Sequence, residues 1–497
     1  MAQSLLLGMD LGTTVLKAGV VESRSGRVVA QSLRRLGVHM LPGGGREQSP
    51  RSVDKALREI LGELRGRVGS AWSAIGGIGV AAQGGSSIIA ERDTGKPLTP
   101  MVLWNDGRTH GWLQRVDEKA PGGFWGRFLL YDVPATGLGR LLWLKETQPE
   151  LFRNDTIHVG AGEYLFHGLT GIWRQDAGNA IQIGSYNART KRLDRKAFDL
   201  IGVPLSFVAP LRQGHETARL GKQAAARLQL REGIPVAGPY IDQEGGYMSC
   251  LGVSERPLQG SLGTAWVGNF LLPDGVIGVS PTQMVLPSPV TDGRFIIQAL
   301  HTGNTSWDWA LTTLVDRDHG KALERASRMF AERLLPQDGL AVVPWFTQPN
   351  PFEQAVNGAG IVAGLSAATD RSDILRAVAA GMAFEFCRML EALQKHGVID
   401  AVVIGGGASK GACFRQLLSA LFDPLPVYWQ VDHDLAAARG SLFALDARSA
   451  RSRTQRILRA KGKVVDGVRR AYKTYLRAFE RTYGRMPSGR PFVIEGP

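Results

Sequence analysis

Short apolar runs that stop at glycine turns alternate with amphipathic helical stretches near both ends of the chain. That alternation confines the fold to an α/β architecture with at least partly parallel sheets. Leu5 to Met9 is a buried-strand signal, a glycine–threonine turn follows, and Lys17 to Glu22 returns as the second strand of a predicted hairpin. An amphipathic helix is expected over about Pro50 to Val68 and another apolar strand over Ile75 to Ala82. The same syntax returns late. Asp370 to Gly397 sets Ile374, Leu375, Val378, Met382, Phe386, Met389, Leu390 and Leu393 on one helical face. Ala401 to Ile404 then reads as a strand, Gly405-Gly406-Gly407 as a turn, and Ala412 to Phe422 as a helix stopped before Pro424. Two α/β cores flanking a cleft are the simplest organisation, with a boundary near Pro239 to Gly252, where glycine and proline cluster.

At about 100 to 200 residues per domain, 497 residues hold two to four domains. Hydrophobic and charged contents of 44% and 21% are those of a globular chain, which argues against extended disorder. The 62 glycines exceed the usual share of about 7% and point to many tight turns and close backbone approaches. Cys250, Cys387 and Cys413 lack Cys-x-x-Cys spacing and the histidines lack a His-x-x-x-His pair, so neither a disulfide framework nor a protein-held transition metal is expected. With no apolar run of about 18 residues and no signal-like start, a cytoplasmic protein without a membrane partner is expected.

The net charge of +14 is concentrated. From Arg448 onward, fourteen Lys and Arg stand against Asp466, Glu480 and Glu495, leaving about +3 for the rest of the chain. Val468, Tyr472, Tyr475, Leu476, Phe479 and Tyr483 recur among those charges at helical spacing, so the tail reads as an amphipathic terminal helix rather than a nucleic-acid surface.

The residues with the clearest chemistry run from Gly8 to Lys17, a strand entering a turn with two hydroxyls, an acid and a base. Small residues let backbone N–H groups approach an anion, Thr13 and Thr14 add donors, Lys17 brings positive charge, and Asp10 suits a hydrated Mg²⁺. These are parts that phosphoryl transfer needs. The returning hairpin separates this turn from both the P-loop and the dinucleotide fingerprint, which open a helix at their glycines.

This segment resembles the phosphate loop of the FGGY carbohydrate kinases, within the actin, heat-shock-protein and sugar-kinase superfamily, and the resemblance continues in order along the chain. Gly45-Arg-Glu-Gln-Ser-Pro50, Thr94 to Leu98, Val102-Leu-Trp104-Asn-Asp106-Gly-Arg-Thr109, Leu142 to Lys145, Leu169-Thr170-Gly171 and Asp176 to Ala180 all look like family segments. Gly238-Pro-Tyr-Ile-Asp242-Gln243 is similar to the motif carrying the family's catalytic aspartate, which implies Asp242 as the general base toward an acceptor hydroxyl. Gly260 to Ala265 resembles the second phosphate loop, implying ATP contacts from Gly263 and Thr264, although Trp266 stands where the family has small residues. Gly405 to Gly411 resembles the adenosine loop, implying Gly406, Gly407 and Gly411 as further ATP-binding positions. Asp434 to Leu445 looks like the small-residue terminal helix of the second core.

The resemblance implies two actin-like, ribonuclease-H-like α/β domains with an ATP cleft between them. The expected division is 1–245 for the first, 246–446 for the second and 447–497 for a basic helical tail. It implies ATP with Mg²⁺, bound through water at Asp10, and a small sugar or polyol as acceptor, with Gln83, Trp104, Asp242 and Gln243 as substrate-binding residues. Glycerol kinases would show an arginine–glutamate pair at Gly84-Gly85 and xylulose kinases a methionine–histidine pair or similar; neither is present, so either a larger polyol fits or the contacts come from elsewhere. A ketopentose such as xylulose is the leading expectation. The alternatives are a glycerol- or erythritol-type polyol, and a catalytically silent nucleotide-binding sensor, which would be marked by loss of Asp10, Asp242 or Thr264. The resemblance is compatible with a homodimer, and no residue pattern specifies the oligomeric state.

Overall fold

The computed structural model describes residues 5–130, 133–272, 283–291, 293–346, 350, 359–395 and 397–485. They divide into two units: Met1–Cys250 with Val285–Phe295 and Leu435–Ser452, and Leu251–Met284 with Ile296–Asp434 and Arg453–Pro497. The end of the tail, 486–497, lies outside the described residues.

The first unit is built on a six-stranded sheet made of β1 (Leu5–Leu11), β2 (Val15–Glu22), β3 (Val28–Arg35), β4 (Ile75–Ala82), β5 (Ala218–Arg219) and β6 (Pro235–Ile241), in the order β5-β6-β4-β1-β2-β3. β1 and β2 form the predicted hairpin, antiparallel, with Asp10 opposite Lys17. β1, β4 and β6 are mutually parallel, and Leu11, Ala82 and Ile241 lie side by side at their carboxyl ends. The helix α1 (Pro50–Val68) and the strand β4 occupy the predicted spans. Pro50 is pre-set for the first helical turn, the Ser49 hydroxyl accepts from the Ser52 N–H, and Gly69, at φ 63°, ends the helix. Its apolar stripe, Val53, Ala56, Ile60, Leu61 and Leu64, is buried. Further helices are α2 (Thr136–Thr147), α3 (Ala177–Ile183) and α4 (Asp242–Met248).

The small-residue helix expected to close the second core is observed at Ala436–Gly440, and by its contacts it groups with the first unit, together with Leu435–Ser452. Strands without side chains receive it: a Cβ on Gly8 would run into the Ala438 carbonyl, and one on Gly79 would lie 2.6 Å from the Ser441 carbonyl oxygen. Gly8→Ala is therefore expected to cost about 1–3 kcal/mol by overpacking, read as a lower denaturant midpoint.

The second unit contains β7 (Pro257–Leu262), β8 (Trp266–Leu272), β9 (Ala401–Gly405), β10 (Val427–Gln430) and β11 (Thr454–Arg456), adjacent in the order β8-β7-β9-β10-β11. β7, β9 and β10 are parallel. Around them lie α5 (Asn304–Leu314), α6 (Arg371–Gln394), α7 (Ala412–Leu421) and α8 (Gly462–Tyr483). The sequence predicts one apolar face for α6, yet almost the whole helix is buried, including Arg376, Glu385, Arg388 and Glu391, while Ile374 is only partly buried. Contacts with α5, α7, α8 and β8 surround it, so its charged residues are paired internally. The basic tail helix α8 docks on this unit through Val465, Val468, Tyr472, Tyr475, Leu476, Ala478 and Phe479, all within its hydrophobic core. Among the described residues no helix is long and apolar enough to cross a membrane.

Candidate active site

Parallel strands send their connecting loops off one edge, and a site can assemble there from residues far apart in sequence. In the first unit the carboxyl ends of β1, β4 and β6 deliver the Gly12–Thr14 turn, the Gln83–Gly85 segment and Asp242 to the same edge. The Gln83 N–H donates to the Leu11 carbonyl at 2.9 Å, joining the first two.

Asp10 is buried at the end of β1, and its Oδ2 lies 3.6 Å from Lys17 Nζ. Burial raises its carboxyl pKa, opposed by the Lys17 charge. Its Oδ1 is buried with no hydrogen-bond partner among the described residues. An orphaned carboxylate oxygen beside a single cation fits a hydrated divalent metal, which takes oxygen ligands and keeps waters. Asp242 is half-buried at the first position of α4, and its Oδ1 accepts from the Gln243 N–H at 2.9 Å. Its pKa is pushed up to about 7, first by desolvation and then by the negative charge on Asp10. Gln243 follows it, also half-buried.

Thr13, Gln83 and Trp104 form one hydrogen-bonded group. Thr13 Oγ1 donates to Gln83 Oε1 at 3.0 Å and accepts from Trp104 Nε1 at 3.0 Å. Gln83 Nε2 donates to Gln48 Oε1 at 3.3 Å, so the buried Gln83 is bonded to protein at both ends of its amide. Trp104 is 44% exposed and is no core residue; its ring lies open beside the threonine turn. Thr14 is exposed at the tip of that turn.

Arg140, on α2, is 1% exposed, and its guanidinium donates to Ser87 Oγ at 3.2 Å, to the Trp104 carbonyl at 3.2 Å and to the Gly85 carbonyl. Burial lowers its pKa to about 10, opposed by Asp106. Asn179, on α3, accepts from the Gly85 N–H at 2.9 Å through Oδ1. Sequence reasoning noticed Gln48 and Asn179 only as parts of motifs and missed Arg140, which carries no local signal because a helix arginine ordinarily faces water.

In the second unit the ends of the parallel neighbours β7 and β9 bring together two of the predicted loops. Gly406, at φ 86°, leaves no room for a side chain, since a Cβ would stand 2.7 Å from the Leu262 carbonyl carbon. The Asn304 N–H donates to the Gly263 carbonyl at 3.0 Å, and a Cβ on Gly407 would be 3.1 Å from Asn304 Nδ2. Gly263, Thr264, Gly406 and Gly407 thus surround the start of α5, with Thr264 exposed; Gly411 lies farther along, at the cap of α7. Trp266 does not enter the loop. It is fully buried, donates from Nε1 to Asn304 Oδ1 at 3.1 Å and meets Phe414 edge-on at 5.2 Å, filling core space beneath the turn.

Models of the FGGY family of carbohydrate kinases match the chain, the N-terminal domain over residues 5–249 and the C-terminal domain over 279–444. The chain is 23% identical over 427 residues to a xylulose kinase of Bacillus subtilis, covering 84% of this chain and 83% of that protein. It is 22% identical over 437 residues to a gluconokinase of the same organism, with the same coverage. The crystal structure of xylulose kinase from Rhodospirillum rubrum aligns with a TM-score of 0.83 at 20% identity, covering 97% of this chain and 100% of that one, which establishes a shared two-domain, actin-like α/β fold.

Proposed function

Because the chain belongs to the FGGY family of carbohydrate kinases, phosphotransferases acting on a sugar hydroxyl, we propose that it transfers the γ-phosphoryl group of ATP to a ketopentose such as xylulose, with Asp242 as general base. The observation that carries this reading is the half-buried Asp242 carboxylate beside Asp10 and Lys17, with its pKa raised to about 7. A sugar hydroxyl loses its proton only as bonding to phosphorus develops, and a base of pKa near the working pH accepts it most effectively.

The other residues bind and orient. The Thr14 hydroxyl, the Lys17 ammonium and the backbone of the turn face the transferred phosphates, while Thr13 is held in place by Gln83 and Trp104. Gln83 thereby serves the acceptor side by positioning Thr13, and Trp104 offers its open ring to the C–H face of a sugar, with Gln243 beside Asp242. Gly263 and Thr264, with Gly406, Gly407 and Gly411, hold the nucleotide from the second unit. Asp10 would hold Mg²⁺ through water, its orphaned Oδ1 being the acceptor for that water. Bound with ATP, the metal supplies neutralisation of charge on the phosphate oxygens.

A shorter polyol, glycerol or erythritol, is the second reading, favoured by the way Gln182 fills the space left by Gly84 and Gly85. ADP production with Mg-ATP across ketopentoses, tetroses, pentitols, gluconate, erythritol and glycerol separates the two. Turnover of a ketopentose in preference to all others is expected, and best turnover of glycerol or erythritol establishes the second reading instead. Binding of ATP without turnover of any acceptor marks the silent sensor. The base must be ionised to act, so kcat/KM for the acceptor is expected to rise with pH through an acid limb near pH 7 and level off above it. A cation at Asp10 offsets the like charge that raises Asp242, so higher Mg²⁺ is expected to move that limb to lower pH. A pH-independent profile from 5 to 8 removes Asp242 from this role.

A further inference from the structure

Gly84 and Gly85 follow β4 at the strand edge that carries Asp242, and the space their missing side chains leave is filled. A Cβ on Gly84 would fall on Gln182 Nε2 and stand 3.0 Å from Ile241 Cγ2; one on Gly85 would stand 2.5 Å from Gln182 Oε1. Ile241 immediately precedes Asp242, so the Gln182 carboxamide lies along the same strand edge, beside the residue that leads into the proposed base. The segment it covers is fixed: the Gly85 N–H donates to Asn179, the Gly85 carbonyl accepts from Arg140, and Gly85 has φ 72°, a backbone that disfavours any other residue. Gln182 itself is partly buried on α3, and Nε2 donates to the Gly178 carbonyl at 3.3 Å. Among the described residues Oε1 accepts no hydrogen bond.

We propose that Gln182 is a specificity-determining residue of the acceptor site, standing in from α3 for the side chains absent at positions 84 and 85. Its Oε1 accepts a hydroxyl of the acceptor's carbon chain, and its length limits how long that chain can be. An amide held by one hydrogen bond at its nitrogen keeps a free acceptor lone pair at a defined place, and a short, partly buried carboxamide rejects chains that would need its volume. The inference rests on reading this strand edge as the acceptor site.

The test compares the wild type with Gln182→Met, which keeps the volume and loses the amide, and Gln182→Ala, which loses both, using ADP production over the same acceptor panel. In Gln182→Met the KM of the preferred acceptor is expected to rise about tenfold, the value of one hydrogen bond to a positioned group, with the KM of ATP unchanged. In Gln182→Ala the ranking is expected to move toward longer acceptors as well. Gln182→Glu, which keeps an accepting oxygen, is expected to recover part of the KM. A residue that merely supports the fold would raise neither KM selectively nor reorder the panel. Unchanged acceptor KM values and ranking in both Gln182→Met and Gln182→Ala overturn the assignment of Gln182 alone. Failure of the wild type to turn over any acceptor overturns the acceptor-site reading, and the Gln182 assignment with it.

Discussion

Asp242→Asn is expected to lower kcat for the preferred acceptor by about 10²–10⁴-fold, the contribution of a positioned general base, with little change in the KM of ATP. Asparagine has nearly the same shape, and its Oδ1 can still accept from the Gln243 N–H that Asp242 Oδ1 accepts at 2.9 Å, so the start of α4 should keep its geometry. What is lost is the ability to take a proton, together with one of the two negative charges at this edge; Asp10 and Lys17 remain as a pair 3.6 Å apart. The acid limb near pH 7 should vanish with the carboxylate, which distinguishes loss of the base from a general loss of active protein. Full turnover in the variant would show that the acceptor proton leaves by another route.

Arg388→Met is expected to destabilise the second unit by about 3–5 kcal/mol, because it leaves a buried carboxylate without its cation. Arg388 and Glu385 are both 0% exposed on α6 and form an ion pair one turn apart. Glu385 also accepts from Trp345 Nε1 at 2.9 Å, from Asn350 Nδ2 and from the Tyr475 hydroxyl on the tail helix α8. Burial pushes the Glu385 carboxyl up to about 7, opposed by the hydrogen bonds from Tyr475, Trp345 and Asn350, which favour the charged form. The guanidinium lies 4.9 Å over the Phe479 ring, which ties the same pair to α8 a second time. Urea unfolding followed by tryptophan fluorescence reads the loss. Replacing Glu385 by leucine as well should recover most of it, because an apolar pair no longer needs charge compensation. A single variant within about 0.5 kcal/mol of wild type would mean that the carboxylate is neutral in the folded protein.

The strand β4 and the helix α1 were legible to the residue, because periodicity and the Ser49–Pro50 start are local signals. The β1–β2 hairpin was legible as well, since two strands joined by a tight turn fix their own register, but both strands run further into the turn than predicted, to Leu11 and from Val15, and it is the structure that sets Asp10 opposite Lys17. The tail helix was legible too, from aromatic residues spaced to face one side. Trp266 misled, because a tryptophan among small loop residues looks like an intrusion until its side chain is seen to point into the core. The return of Leu435–Ser452 to the first unit could not be read from its own residues, since its docking depends on glycines in distant strands.

The α/β class, the family and the glycine–threonine turn with its acid and base were legible from the chain alone, because each rests on residues adjacent along it. That Gln83 faces Thr13, that Trp104 is open while Trp266 is core, and that Gln182 occupies the space of two glycines emerge from the folded chain alone. Those facts depend on parallel strands carrying distant segments to a common edge, where close packing sets which side chain fills which volume.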